Sequence, residues 1–273
     1  MMFDLVLLGL GTLAGLLVNH SRQTLKVAEA SDKVIAVAGK ISVIIPAYNE
    51  EVYIEQTLNS ILNQNLYQKY PDMVEIIVVD NESTDRTAEI ASQYTTVISA
   101  PRGKLNAKNA GAEIASGDIL VFTDADAVLK PNWLNLLIRH FQDPEVVGVS
   151  GPVHENVDVV RMAIQLQLSS YNSYLTTIMA GANQAVRRDV FFAVGGFPTD
   201  CDQFNRSVLR HHEEIEFCSK LKEYGRIVYD NQATAFFSGR SLKCAQCANL
   251  PENHECTYCA TTPLQSDALL WRG

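Results

Sequence analysis

Two carboxylates one residue apart, Asp124-Ala125-Asp126, follow directly on the apolar run Ile119-Leu120-Val121-Phe122. The run reads as a buried strand, and the acids fall where that strand meets solvent. If the extended backbone persists, positions 124 and 126 point to the same side. Two hard oxygen ligands at that spacing suit one divalent cation, Mn2+ or Mg2+, which would keep further positions open for phosphate oxygens. A loop that caps a strand with solvated acids has the same residues, so the neighbouring elements decide.

Those elements alternate. Ile41-Ser42-Val43-Ile44-Ile45-Pro46 is a β-branched run ended by proline and reads as a first buried strand. A helix is expected from about Glu50, because Ile54, Leu58, Ile61 and Leu62 share one helical face. Residues 75–80 form a second strand, and Ser83-Thr84-Asp85 supplies capping chemistry for another helix. Thr96-Val97-Ile98 is a third strand. A helix over 105–115 leads into the strand at 119–122, and Pro131 suits the first turn of a helix carrying Leu134, Leu137, Ile138 and Phe141 on one face. This alternation predicts an α/β fold with a mostly parallel central sheet and helices on both faces.

Ligands of such sheets bind beyond the carboxyl ends of the strands. That rule gathers three polar clusters at one edge: Pro46-Ala47-Tyr48-Asn49-Glu50, Asp80-Asn81-Glu82-Ser83 and Asp124-Ala125-Asp126. Each alone is an ordinary turn or cap, but together they point to a nucleotide and metal site. Arg102, Lys104 and Lys108 precede the central strand, where they could offset diphosphate charge or simply be solvated.

The chain has 273 residues, 47% of them hydrophobic and 19% charged, which fits a globular protein. Its formal net charge of -9 argues against a non-specific nucleic-acid binder, which needs a basic surface. Phe3 to Val18 is apolar apart from Asp4 and Thr12, against the roughly 20 residues of a bilayer-crossing helix. A short membrane anchor within 1–20, an uncleaved signal and a buried helix all fit it. Arg22, Lys26 and Lys33 follow the stretch, so an anchored chain would lie on the cytoplasmic face of its membrane, and an unanchored one in the cytoplasm. Residues 21–40 read as a connector, 41–240 as the main domain and 241–273 as a tail.

In that tail, Cys244 and Cys247 form one Cys-x-x-Cys pair, and Cys256 and Cys259 another. Four thiolates in paired knuckles suit a structural Zn2+, with His254 able to replace one ligand; disulfides and free thiols are the alternatives.

The sequence resembles family 2 glycosyltransferases with the GT-A nucleotide-sugar fold. The resemblance rests on the segments 44–50, 78–85, 104–111 and 123–126, followed by Gly181-Ala182-Asn183, Gly195-Gly196-Phe197 and Glu213-Glu214-Ile215-Glu216-Phe217. It implies that Pro46, Ala47, Tyr48, Glu50 and Asp80 hold the base and ribose of a nucleoside diphosphate sugar. Asp124 would contact nucleotide or metal, and Asp126 would ligate Mn2+ or Mg2+. Family members carry Glu-Asp where this chain has Glu213-Glu214, which makes Glu214 the expected catalytic base, with Glu213 beside it. The family's frequent arginine is Lys108 here, cationic but without a bidentate fork. Gly181-Ala182-Asn183 and the 195–197 loop resemble the acceptor side, where Arg187, Arg188, His211 and His212 could help an anionic acceptor. The Gln-x-x-Arg-Trp signature of processive synthases is absent, which favours transfer of a single sugar.

The expected activity is therefore inverting transfer of one sugar, from a nucleotide donor expected to be UDP-linked, to a glycan or lipid-linked acceptor. Two rivals remain: a polyprenyl-phosphate glycosyl transferase, and a catalytically silent nucleotide-sugar-binding scaffold.

Overall fold

A computed structural model of the protein describes residues 39–155, 179–199 and 212–238. The apolar stretch at 3–18, most of the connector, Cys201, His211 and the four tail cysteines Cys244, Cys247, Cys256 and Cys259 lie outside the described residues.

The first half alternates as its sequence dictates: β1 (Ile41–Ala47), α1 (Ile54–Leu62), α2 (Asn65–Lys69), β2 (Val74–Asp80), α3 (Thr87–Ser92), β3 (Thr96–Ser99), α4 (Lys104–Ile114) and β4 (Ile119–Thr123). Next come β5 (Ala127–Leu129), α5 (Trp133–Ile138), β6 (Val146–Ser150) and β7 (Val153–Glu155). The remainder is β8 (Asn183–Arg187), α6 (Arg188–Ala193), α7 (His212–Leu221), β9 (Arg226–Tyr229) and β10 (Ala235–Phe237).

Seven strands form the main sheet in the order β3-β2-β1-β4-β8-β6-β9, and β5-β10-β7 form a smaller one. β1 is buried at every position, as expected of a β-branched strand covered on both faces. It pairs in parallel with β2, Ile44 opposite Ile77, and with β4, Ile44 opposite Phe122. β8 runs the other way, antiparallel to both β4 and β6. The sheet is thus mostly parallel. Reversal of β8 has a positional effect: the loop that precedes it, at 179–182, arrives at the edge where β1, β2 and β4 end, with Asn183 opposite Thr123.

The core joins the two halves. Phe122 and Leu120 from β4 pack with Phe191, Phe197, Phe217 and Leu221. Phe197 stands edge-on to Phe122 at 5.0 Å and tilted against Phe217 at 4.5 Å. Burial of each such ring contributes about 2 kcal/mol or more. α4 lies close on the sheet because Gly111 faces it: a Cβ there would come within 2.5 Å of Ile44 Cγ2.

Two local expectations need revision. α5 is buried on every side rather than along one stripe, and Pro131 lies in the turn before it rather than in its first turn. α3 has Arg86 at its N-cap with no side-chain cap bond, although Asp85 Oδ1, one residue earlier, accepts the Thr87 amide at 2.9 Å.

Candidate functional site

The three polar clusters meet in one cleft of about 550 Å3, a volume suited to a nucleotide-sized ligand. Pro46, Ala47, Tyr48 and Glu50 line it from the end of β1, Lys104 from the start of α4, and Asp124 and Asp126 from the end of β4.

The β1 loop is held by the loop that follows β2. Asn49 takes a left-handed conformation, φ 53°, and its amide donates to Ser83 Oγ at 3.0 Å while its Oδ1 accepts the Thr84 amide at 2.8 Å. The amides of Glu50 and Glu51 donate to Thr87 Oγ1 and Asp85 Oδ2. Tyr48 is covered by the Arg102 guanidinium, 4.3 Å from its ring centre, a cation–π stack at the cleft wall. Asp80 stands in register with Ala47 and is buried. It does not itself line the cleft; Asn81 does. Asp80 Oδ1 and Asn81 Oδ1 are buried without a hydrogen-bond partner among the described residues, so both remain available as acceptors.

At the end of β4 the backbone turns at Ala125 and Asp126 instead of staying extended, yet both acids still line the cleft. The Ala125 carbonyl accepts Thr57 Oγ1 at 2.7 Å, which anchors the turn to α1. Asp126 Oδ2 accepts Ser238 Oγ at 2.5 Å. Asp124 Oδ2 accepts Lys104 Nζ at 2.7 Å, while its Oδ1 is buried and has no hydrogen-bond partner among the described residues. Burial works against the Asp124 charge, but Lys104 and, farther off, Lys108 hold its pKa below the usual carboxylate value. Desolvation likewise opposes the charge on Lys104, and the carboxylates of Asp124, Asp126 and Glu214 hold its pKa above the ordinary lysine value.

Among the described residues no group of three or more His, Cys, Asp or Glu side chains gathers as a closed metal cage. Two cleft carboxylates, one with an unengaged buried oxygen, fit the other kind of site, in which a hard cation takes its remaining ligands from phosphate and water.

Another part of the lining comes from the second half of the chain. Ala182 lines the cleft, and beside it Gly181 has charge on two sides. A Cβ on Gly181 would lie 2.7 Å from Glu214 Oε1 and 3.3 Å from Lys108 Nζ. Lys108 is almost fully buried, its Nζ donates to the Gly181 carbonyl, and it lies over the rings of Phe122 and Phe197. Glu214, in the first turn of α7, is thereby brought beside Gly181 and next to the lining residue Ala182, where its charge acts on Lys104; Glu213 lies in the same turn, with its side chain outside the described residues. Asn183 fixes this wall from behind: its Nδ2 donates to the Pro152 and Ala233 carbonyls at 2.9 and 2.7 Å, and its Oδ1 accepts Trp133 Nε1 at 2.9 Å.

Comparison with known proteins bears on this arrangement. Residues 42–212 match the model of the family described as glycosyl transferase family 2. The chain belongs to that family. It is 31% identical over 183 residues to the probable glycosyltransferase YdaM of Bacillus subtilis, covering 58% of this chain and 43% of that one. With the glucosyl-dolichyl phosphate glucuronosyltransferase of Haloferax volcanii it shares 26% over 214 residues, 71% of this chain and 67% of the other. Among solved structures, the mannosyltransferase PcManGT of Pyrobaculum calidifontis, in complex with GDP-Man and Mn2+, superposes with a TM-score of 0.58 at 26% identity, covering 74% of this chain and 58% of that one. The chain spans 43%, 35% and 56% of the length of the first three curated relatives it matches.

For this family 2 chain, the structure gathers Pro46, Ala47, Tyr48, Glu50, Lys104, Asp124 and Asp126 at one cleft, with Glu214 and Lys108 behind Gly181. It moves Arg187 away. That residue pairs with Ile119 at the far end of β4, and its guanidinium donates to the carbonyls of Phe141, Asp143 and Val146. Its role is structural, not acceptor binding. Sequence reasoning missed the lining residues Val153 and Phe237, which come from the small second sheet and have no polar signature.

Proposed function

We propose that the chain is the catalytic part of an inverting, metal-dependent glycosyltransferase, which moves one sugar from a nucleoside diphosphate sugar to a hydroxyl of a glycan or lipid-linked acceptor. The observation that carries this reading is that Asp124, Asp126 and Lys104 line one cleft, with Glu214 beside Gly181, the residue next to the lining residue Ala182.

The residues divide the work by position. The 46–50 loop, Asp80 and Asn81 offer the hydrogen-bonding groups and the stacked Tyr48 that hold a base and ribose. Asp124 and Asp126 would hold a Mn2+ or Mg2+ ion, whose chemistry is to offset charge growing on the departing diphosphate. Lys104 adds a protein-borne positive charge to the same end. Glu214 takes the proton of the attacking hydroxyl, which is a poor nucleophile until its proton is being removed. Attack from the side opposite the diphosphate inverts the anomeric centre. Lys108 holds the Gly181 carbonyl and keeps a positive charge beside the base. A UDP-linked donor is the expected one, and the cytoplasmic face of a membrane, or the cytoplasm, is the proposed location. Among the described residues no helix is long and apolar enough to cross a membrane. The relative named for glucosyl-dolichyl phosphate favours a lipid-linked acceptor and keeps a polyprenyl phosphate acceptor as the second reading. Mild acid releases sugar from a polyprenyl phosphate product and leaves a glycosidic product intact.

A thermal-shift series tests the donor site: the protein with UDP-, GDP- and dTDP-sugars, each with Mn2+, Mg2+ or EDTA. A ligand that binds only the folded state raises Tm by mass action. One nucleotide class should raise Tm in a metal-dependent way, and Asp126→Ala should abolish the metal dependence. No shift with any donor from well-folded protein would count against a transferase.

A further inference from the structure

We infer that Lys104 is the resident counter-ion of Asp124 and must leave Oδ2 before Asp124 can offer both of its oxygens to a divalent cation, so that nucleotide and cation load the cleft as a coupled pair. The inference rests on the transferase reading and concerns the order in which its site is filled.

Lys104 Nζ sits 2.7 Å from Asp124 Oδ2, and both residues line the cleft. A cation approaching Asp124 therefore meets an ammonium already seated on its ligand, and like charges repel strongly where solvent is scarce. The two side chains differ in freedom. That of Lys104 is 55% exposed, whereas that of Asp124 is 21% exposed, with Oδ1 buried. Lys104 is the part that can move. It is the first residue of α4, directly after Gly103, whose φ of 136° is a conformation that glycine adopts without strain. Its ammonium is a flexible point charge rather than a fixed fork, so it can exchange one anionic partner for another.

A nucleoside diphosphate offers that second partner. Once phosphate oxygens draw Lys104 away, both oxygens of Asp124 become available to a cation. By linkage, whatever factor the nucleotide adds to cation affinity, the cation returns to nucleotide affinity. Without Lys104, a cleft that also bears Glu50 and Asp126 would present three carboxylates with no lysine among its lining residues. Such a cleft would attract a metal ion before any nucleotide arrived.

The test is titration with Mn2+ alone, read from the electron paramagnetic resonance signal of free Mn2+, on wild type, Lys104→Met, Lys104→Gln and Lys104→Arg, and repeated with UDP and GDP. Removing the charge should tighten Mn2+ binding roughly ten-fold in the Met and Gln variants, while Lys104→Arg stays close to wild type. The extra Mn2+ affinity conferred by the nucleotide should shrink in the uncharged variants. Equal or weaker Mn2+ binding in both uncharged variants, with metal-dependent nucleotide binding intact in wild type, overturns this inference alone. Tighter Mn2+ binding in those variants, with neither UDP nor GDP bound by any of the proteins, upholds the lysine's role and overturns the transferase reading.

Discussion

The Trp133 indole donates to the Asn183 side-chain oxygen at 2.9 Å, inside the protein, and so ties α5 to the first residue of β8. With its two donated bonds to the Pro152 and Ala233 carbonyls, Asn183 has every polar atom of its side chain engaged. Asn183→Leu would leave the Trp133 indole and the Ala233 carbonyl without these partners, while the Pro152 carbonyl keeps the Ala235 amide at 3.0 Å, and each buried orphan costs about 1 kcal/mol or more. We expect a loss of roughly 2 kcal/mol or more in unfolding free energy, measured by urea denaturation. A loss within the scatter of ordinary surface substitutions would show that water takes over these bonds.

Gly181→Ala separates packing from chemistry. The added methyl meets the far end of the Glu214 side chain, which can swing aside, so the fold should lose less than about 1 kcal/mol. The carboxylate it displaces is the proposed base, and a misplaced catalytic group costs roughly ten- to a hundred-fold in rate. Turnover should therefore fall with Tm nearly unchanged, and unchanged turnover would place the base elsewhere.

Glu214→Gln keeps the shape and removes the proton acceptor. Loss of a general base typically costs on the order of a hundred-fold or more in kcat. Nucleotide-sugar binding, followed by calorimetry, should survive. If binding disappears along with turnover, Glu214 serves the donor or the fold and not the acceptor hydroxyl.

Asp230 gives a prediction in pH. Burial would raise its pKa, but the neighbouring His140 ring, the Gln232 amide and the Arg139 charge hold it below the usual carboxylate value. A depressed carboxylate contributes stability that is complete above the unfolded pKa, about 3.9, and is lost as pH falls through the folded value. Asp230→Asn should be less stable than wild type at pH 7 by about 2 kcal/mol. It should also lose less on acidification below about pH 4. Parallel stability curves for the two proteins across that range would contradict the assignment.

Much of the first half was legible because β1, β2 and β4 are mostly apolar, largely β-branched runs followed by polar clusters. Ile41–Ala47, Val74–Asp80 and Ile119–Thr123 could be drawn to within a residue, and the carboxyl-edge rule then brought Tyr48, Glu50, Asp124 and Asp126 together. The second half was harder. β8 is Asn-Gln-Ala-Val-Arg, whose burial comes from neighbours on both sides rather than from its own hydrophobicity. β5, β7 and β10 are three residues each, too short for a period to register. Charge without direction misled at Arg187: its type suggested an anion site, but the antiparallel course of β8 puts it at the opposite end of the sheet from Asn183.

The same reversed strand limits how such a protein can be rebuilt. Because β8 is hydrogen-bonded on one side to β4 and on the other to β6, the wall around Gly181 is stitched into the middle of the sheet and is no detachable module. A chimera importing this wall from a relative must also import a strand that keeps Thr123 opposite Asn183 and Ser150 opposite Gln184, since a one-residue slip would turn every side chain of β8 to the wrong face. Changes of specificity are therefore more readily made by point substitution in the 179–182 loop and along α7 than by exchanging blocks of chain.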